Sequence, residues 1–234
     1  MRNDLRLPPV APGMTTVGLI GSGMIGETVA RLATAAGHQV VLSNSRGPET
    51  LEDLAGELGP LARAGTTEEA AGADIVVVAI PVKAYPSVPA APLAGRVVID
   101  AGNYYPQRDG QIADLDSGAL TSSELLQRDL PGAAVVKVFN NIFFKHLRSL
   151  ARPAGAADRT FLPIAGDDPQ AKAAVTAFLD SIGYGAVDVG PLAEGWRYEP
   201  GSPAYGAVYG PFENEAGTPA DAAAVRAAVA GAHR

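Results

Sequence analysis

The stretch Thr16-Val17-Gly18-Leu19-Ile20-Gly21-Ser22-Gly23-Met24-Ile25-Gly26 carries an apolar run straight into the pattern G-x-G-x-x-G. A glycine-rich turn by itself is weak evidence of a ligand, so the flanking segments decide its meaning. Val17 to Ile20 reads as a buried strand, and the residues from Met24 onward have helical spacing of apolar positions. In that frame Gly21 suits the tight turn and Gly23 leaves room for a pyrophosphate against the backbone. Gly26 lets helix and strand approach, and the helix N-terminus offers free N–H groups to an anion.

Working outward, Thr16 to Ile20, Met24 to Ala36 and Gln39 to Leu42 read as strand, helix and strand, one βαβ unit. A helix around Thr50 to Leu58, a short strand near Ala62 to Ala64 and a helical stretch at Thr67 to Ala71 follow. The run Asp74 to Ile80 is next, and it lacks polar alternation, as a parallel strand covered on both faces should. Further strands are expected at Val97 to Asp100, Val135 to Val138, Phe161 to Ala165 and Ala186 to Val189. Helices are expected at Thr121 to Arg128, Ile142 to Leu150 and Pro169 to Ser181, with a terminal one at Pro219 to Ala232. Pro200 to Pro211 holds too much Gly and Pro for regular structure. Alternating strands and helices imply an α/β fold with a doubly wound parallel (Rossmann) sheet, because each parallel pair needs a crossover that packs a helix on a face. The Ala/Gly/Pro-rich stretch Ala151 to Asp158 marks a boundary. The expected organisation is a flexible leader at 1–13, a dinucleotide-binding domain at 14–150 and a smaller C-terminal α/β part at 151–234.

The end of the second strand bears on which dinucleotide is bound. An NAD-type site usually has Asp or Glu there to accept from the ribose 2′-OH, whereas this chain has Ser43-Asn44-Ser45-Arg46-Gly47. An acid would repel a 2′-phosphate; Asn44 and Ser45 can donate to one, and Arg46 can pair with it. The expected cofactor is therefore NADP(H).

Bulk properties exclude several classes. The chain has 234 residues, no cysteine and a formal charge of −7. A disulfide, a thiol nucleophile and a thiolate metal site are thus impossible, and scattered His38, His146 and His233 make a histidine metal site a poor expectation. The negative charge, with no Lys/Arg stripe, argues against nucleic acid. No apolar run is long enough for a membrane span, and Met1 to Gly13 carries charges and three prolines where a signal peptide needs an apolar stretch. A cytoplasmic protein without membrane or nucleic-acid partners is expected. A homodimer is expected too, because the C-terminal apolar elements look too short to bury their own faces.

In doubly wound sheets the ligand lies beyond the carboxyl ends of the strands. Three such segments stand out: Ile80-Pro81-Val82, then Asp100 to Pro106 with Asn103, and Phe139-Asn140-Asn141-Ile142-Phe143-Phe144. The pocket they would form is apolar and aromatic with amides as its polar points, and its catalytic residue is not assignable. There is no Tyr-x-x-x-Lys pair at these ends, and Lys83, Lys137 and Lys145 read as surface or helix-end lysines. Reducing a carbonyl normally requires an acid, whereas hydride transfer from nicotinamide to a flavin-like ring requires chiefly stacking at the right distance.

With these motifs in place the sequence resembles the NADPH-dependent deazaflavin (coenzyme F420) reductases, the 8-hydroxy-5-deazaflavin:NADP oxidoreductases. The matching features are the glycine motif, Gly37-His38, the Ser/Arg loop, Ile80-Pro81, Val135 to Asn141, Pro163 to Asp168 and Asp188 to Leu192, over Met14 to Arg197. The resemblance implies that Ser22, Met24 and Ile25 with Asn44, Ser45 and Arg46 hold the NADP phosphates. It places Ile80 to Val82 near the nicotinamide and Phe139 to Ile142 toward the acceptor ring. Two departures bear on the acceptor: Ile142-Phe143-Phe144 is bulkier than the corresponding stretch of archaeal-type members, and Trp196 to Gly210 is unlike theirs. The acceptor implied is a deazaflavin or flavin-like ring. The alternatives are a small imine or carbonyl substrate, with the proton coming from Tyr104, Tyr105 or Lys137, and a redox sensor that binds NADP(H) without turnover.

Overall fold

A computed structural model describes residues 15–234, and the expected leader lies outside the described residues. In chain order the elements are β1 (Thr16–Ile20), α1 (Met24–Ala35), β2 (Gln39–Ser43), α2 (Glu52–Leu58), β3 (Ala62–Ala64), α3 (Thr67–Ala71), β4 (Ile75–Val78), α4 (Ala90–Leu93), β5 (Val97–Asp100), α5 (Pro106–Asp109), α6 (Ala113–Asp116), α7 (Ser122–Asp129), β6 (Ala134–Lys137), α8 (Phe144–Ser149), β7 (Phe161–Gly166), α9 (Pro169–Ser181), β8 (Gly185–Gly190) and α10 (Ala222–Ala230). Short 3-10 segments occupy Pro48–Leu51, Val82–Ser87, Leu192–Tyr198 and Ala207–Tyr209.

All eight strands form one sheet in the order β3-β2-β1-β4-β5-β6-β7-β8. Alternate residues of each strand point to opposite faces, and both faces are covered. Val17, Leu19, Ile75, Val77 and Ile99 pack with α1, α8 and α9, and Val76, Val78, Val98 and Val135 pack with α3, α4 and α7. This two-sided burial explains the absence of polar alternation in the strand sequences. Two helix starts are fixed by capping boxes, Thr66 with Glu69 on α3 and Thr121 with Glu124 on α7.

The sheet departs from the expected all-parallel arrangement at one step. β6 and β7 are antiparallel, with Val136 opposite Gly166 and Lys137 opposite Ala165. Only the last residues of each strand pair, so β7 begins beyond the carboxyl end of β6 and runs beside the chain that follows it. The division expected at residue 150 falls at this reversal, and the hydrogen-bonded sheet continues across it. The helices α4, α5 and α6 escape a sequence reading because four residues are too short to show a period.

Candidate active site

The carboxyl ends of β1 and β4 flank the point where strand order reverses, and the phosphate loop stands there. Gly21 has φ of 103°, in the left-handed region, and its N–H bonds to Ser43 O at 3.0 Å. Ser22 Oγ donates to the same carbonyl at 3.0 Å, so Ser22 ties the loop to β2. A Cβ on Gly26 would fall 2.0 Å from Gly21 O, whereas one on Gly23 would meet nothing within 4 Å. Gly26 is therefore required by packing, and Gly23 leaves an open face. Gly23 caps α1 without any side-chain hydrogen bond, leaving the first-turn N–H groups to a ligand.

At the end of β2, Asn44 Oδ1 accepts from Arg46 N at 2.8 Å and Asn44 Nδ2 donates to Thr50 Oγ1 at 2.9 Å. Asn44 thus shapes the loop, while Ser45 and Arg46 are exposed. No side-chain ion pair engages Arg46 among the described residues. The loop carries a cation and a hydroxyl and no carboxylate at the place where an NAD-type site has one.

A cavity of about 520 Å³ opens beside the loop, within the range of roughly 300–1,000 Å³ usual for small-ligand sites. It brings together Gly23, Met24 and Ile25 with Ile80, Pro81, Asn103, Phe139, Asn140, Asn141 and Ile142. Val82 does not line it; its side chain is buried beneath, in the core on the α3 side. Asn44, Ser45 and Arg46 lie outside, as residues bound for the far end of a dinucleotide would. Tyr105, Phe143 and Phe144, from the segments expected to form the pocket, also wall the cavity, together with three residues that sequence reasoning did not assign to it: Arg108, Tyr205 and Phe212. Phe143 makes edge or tilted contacts with Phe144, His146 and Phe212. Met24 is 64% exposed and Phe212 52% exposed at this rim, apolar surface that a bound ring would cover.

Phe139 is the only non-glycine residue with positive φ among the described residues, at 71°. Such a conformation costs about 1–3 kcal/mol and is tolerated where the surroundings fix it; Phe139 is fully buried. The turn it makes presents two amides to the cavity. Asn140 Nδ2 donates to Asn103 Oδ1 and Tyr198 O, Asn103 Nδ2 donates to Asn140 O, and Asn141 Nδ2 donates to Ala204 O. The Oδ1 atoms of Asn140 and Asn141 are buried without a partner.

Sequence reading left the pocket without an assignable acid and named Tyr105 as one of three alternatives; two hydroxyls line the cavity. Tyr105 and Tyr205 both line the cavity and their hydroxyl oxygens are 2.5 Å apart. Tyr205 comes from the Gly/Pro-rich segment, 100 positions along the chain, so no local sequence signal could have joined the two. Arg108 lies over the Tyr105 ring, its Cζ 5.0 Å from the centroid, and donates to Asn103 O at 2.6 Å. It is also held by Asp109, whose carboxyl accepts from Tyr105 N. Burial pushes Asp109 up, but the Arg108 and backbone hydrogen bonds outweigh it and hold the carboxyl below its usual range.

The other donors considered from sequence are elsewhere. Tyr104 Oη donates its one hydrogen to Asp116 Oδ1 at 2.7 Å and lies 3.0 Å from Gly110 O, away from the cavity. Lys145 pairs with Glu215, and Lys83 Nζ donates to Arg108 O at 3.1 Å. Lys137 is not a surface lysine. It is fully buried, 3.1 Å from Glu199 and 3.7 Å from Asp100, and it donates to Ser122, Ser123 and Gly102 O. Asp100 also accepts from Tyr85, Ser123 and Gly102 N. This cluster clamps the segment after β5 to the 3-10 turn at Leu192–Tyr198, fixing the floor under the cavity. Burial raises the Glu199 carboxyl, but Lys137 and the Ser122 hydrogen bond hold it below its usual range.

The described residues contain no group of His, Asp and Glu arranged to hold a metal ion, and no helix long and apolar enough to cross a membrane. The family model for NADP oxidoreductases, coenzyme F420-dependent, matches residues 16–104. A hypothetical protein of Sinorhizobium meliloti is 31% identical over 80% of this chain and 91% of its own, with a TM-score of 0.70. The chain belongs to the coenzyme F420-dependent NADP oxidoreductase family. An Arthrobacter sp. FB24 protein provisionally named an F420-dependent NADP-reductase is 25% identical over 76% of this chain and 86% of its own, with a TM-score of 0.63. The reductive aminase of Aspergillus terreus, in complex with NADPH and ethyl levulinate, shares the fold at 16% identity, with a TM-score of 0.54 over 77% of this chain and 56% of its own. No curated protein matches the chain at a significant level. The family is one of NADP-binding oxidoreductases, in keeping with the acid-free end of β2.

Proposed function

We propose that this protein transfers hydride between NADPH and a deazaflavin or flavin-like ring. The observation that carries the reading is the single cavity running from the open face of Gly23 to the aromatic wall of Phe143, Phe144 and Phe212. NADPH, when bound, supplies the hydride. The first turn of α1 and the Gly21–Gly26 loop would take its pyrophosphate, with Ser45 and Arg46 taking the 2′-phosphate. Ile80 and Pro81, which line the cavity beside the loop, would support the nicotinamide. The aromatic wall would hold the acceptor ring parallel and keep water out, which is the contribution that ring-to-ring transfer requires of a protein.

Purified protein mixed with NADPH and oxidised coenzyme F420 should lose both nicotinamide and deazaflavin absorbance in equal molar amounts. No loss with this acceptor or with FMN overturns the reading. A second reading, reduction of a small imine or carbonyl, is favoured by the Tyr105–Tyr205 hydroxyls, and a cyclic imine in the same assay tests it. Binding of NADPH without consumption by any acceptor would instead indicate a sensor. The physiological partner is proposed to be the small-molecule acceptor, and the assembly a homodimer; elution at about 24 kDa, the mass of one chain, would refute the dimer.

A further inference from the structure

The cavity has a polar edge whose chemistry the hydride-transfer reading does not use. Its amides and its guanidinium can donate hydrogen bonds but do not release protons near neutral pH. Among the described cavity-lining residues, only Tyr105 and Tyr205 carry a hydroxyl. Their oxygens share one hydrogen bond at 2.5 Å, and neither hydroxyl has another partner among the described residues. A pair of hydroxyls has two hydrogens and the shared bond uses one. One O–H is therefore left to point at a ligand.

We propose that Tyr105 is the proton donor to the acceptor and that Tyr205 is its positioning residue. This rests on the hydride-transfer reading. When the acceptor carbon receives the hydride and its electron pair, the conjugated C=N or C=O bond opens, and the nitrogen or oxygen at its end needs a proton. The Tyr105 O–H bond breaks, the new N–H or O–H bond forms, and the phenolate left on Tyr105 accepts from Tyr205 until water returns the proton. The surroundings of the pair fix these roles. Arg108 lies over the Tyr105 ring, its Cζ 5.0 Å from the centroid, and holds that ring in place at the cavity edge. Burial, with the hydrogen bond to Tyr105 second, pushes the Tyr205 hydroxyl well above its usual range, so Tyr205 keeps its proton and donates within the pair. The mount is rigid. Arg108 is fixed by Asp109 and Asn103 O, and Asp109 is fixed by Tyr105 N.

The test compares wild type, Tyr105→Phe and Tyr205→Phe in single turnover with NADPH, using coenzyme F420 and a cyclic imine as separate acceptors. A second readout without turnover is the affinity for the oxidised acceptor in the presence of NADP+. Loss of a general acid should slow Tyr105→Phe about 100-fold, with unchanged NADPH affinity and loss of the solvent deuterium isotope effect. Tyr205→Phe should slow the reaction by a smaller factor and keep the isotope effect. Acceptor affinity of Tyr105→Phe should fall about 2- to 10-fold, as for one lost hydrogen bond. Turnover with the imine alone, slowed in Tyr105→Phe, supports the proton donor and overturns the ring acceptor. Turnover with coenzyme F420 at rates and affinities within about threefold of wild type in both variants overturns the proton donor alone. No turnover and no binding of either acceptor overturns both.

Discussion

Gly23, the N-cap of α1, and Gly26, in its first turn, are three residues apart, and the structure gives them different duties that a pair of alanine variants separates. A Cβ on Gly23 meets nothing within 4 Å, and its φ of −79° suits alanine. The folded protein should accept Gly23→Ala at the cost of a weaker N-cap, under about 1 kcal/mol and so under about 4 °C in Tm. The methyl group would occupy the face that a pyrophosphate must approach, so NADPH affinity should fall at least about tenfold, or about 1.4 kcal/mol. Gly26→Ala behaves oppositely. Its Cβ would lie 2.0 Å from Gly21 O, about 1.4 Å inside the 3.4 Å where ordinary contact begins. The obstacle is backbone, which no side-chain rotation relieves, so α1 or the loop must shift at a cost of about 1–3 kcal/mol or more. Calorimetric melting should show a clear loss of Tm in the absence of cofactor for Gly26→Ala and little for Gly23→Ala. Titration with NADPH should show the binding defect of Gly23→Ala in a protein of near wild-type stability. Wild-type NADPH affinity in Gly23→Ala would refute the placement of the pyrophosphate on this face.

Arg46→Ala should weaken NADPH by about 1–3 kcal/mol, as for a charge-assisted hydrogen bond, and leave NADH nearly unchanged; equal losses in parallel titrations would remove Arg46 from the 2′-phosphate. Lys137→Met strands buried Asp100 and partly buried Glu199, at about 3–5 kcal/mol or about 10 °C in Tm. The Glu199 carboxyl, held below its unfolded value of 4.5, stabilises the wild type above that pH and loses the contribution as pH falls through its lower folded value. The gap in urea stability between wild type and Lys137→Met should therefore narrow below about pH 4.5, and a constant gap would contradict the pairing with Glu199. Asn141→Ala should cost about 1–3 kcal/mol in urea unfolding, because it leaves buried Ala204 O without its donor, and an unchanged midpoint would show that the amide does not hold the C-terminal segment.

The glycine turn and the acid-free end of β2 were legible because their determinants are local. A tight turn, a close helix–strand approach and a strand end are each set by residues within a few positions, so Gly21, Gly23, Gly26 and Arg46 could be named from their spacing. The parallel strands were legible for a related reason: burial on both faces removes the polar alternation from Ile75 to Val78 and from Val97 to Asp100. The register and direction of β7 were not, since an antiparallel pairing limited to Val136, Lys137, Ala165 and Gly166 leaves no periodic trace.

The sequence by itself determined the α/β class, the glycine turn between β1 and α1 and the absence of an acid at the end of β2, because these follow from backbone sterics and composition over short distances. Only the tertiary structure decided which polar side chains meet at and beneath the cavity. Lys137 looked like a surface cation and is a buried clamp, because its partner Glu199 is brought to it from 62 positions away by the turn at Leu192–Tyr198. Tyr205 sat in a stretch with no pattern and meets Tyr105 across the cavity. Hydroxyl and ion pairs of this kind depend on where the chain returns in space, and no spacing in the sequence encodes that return.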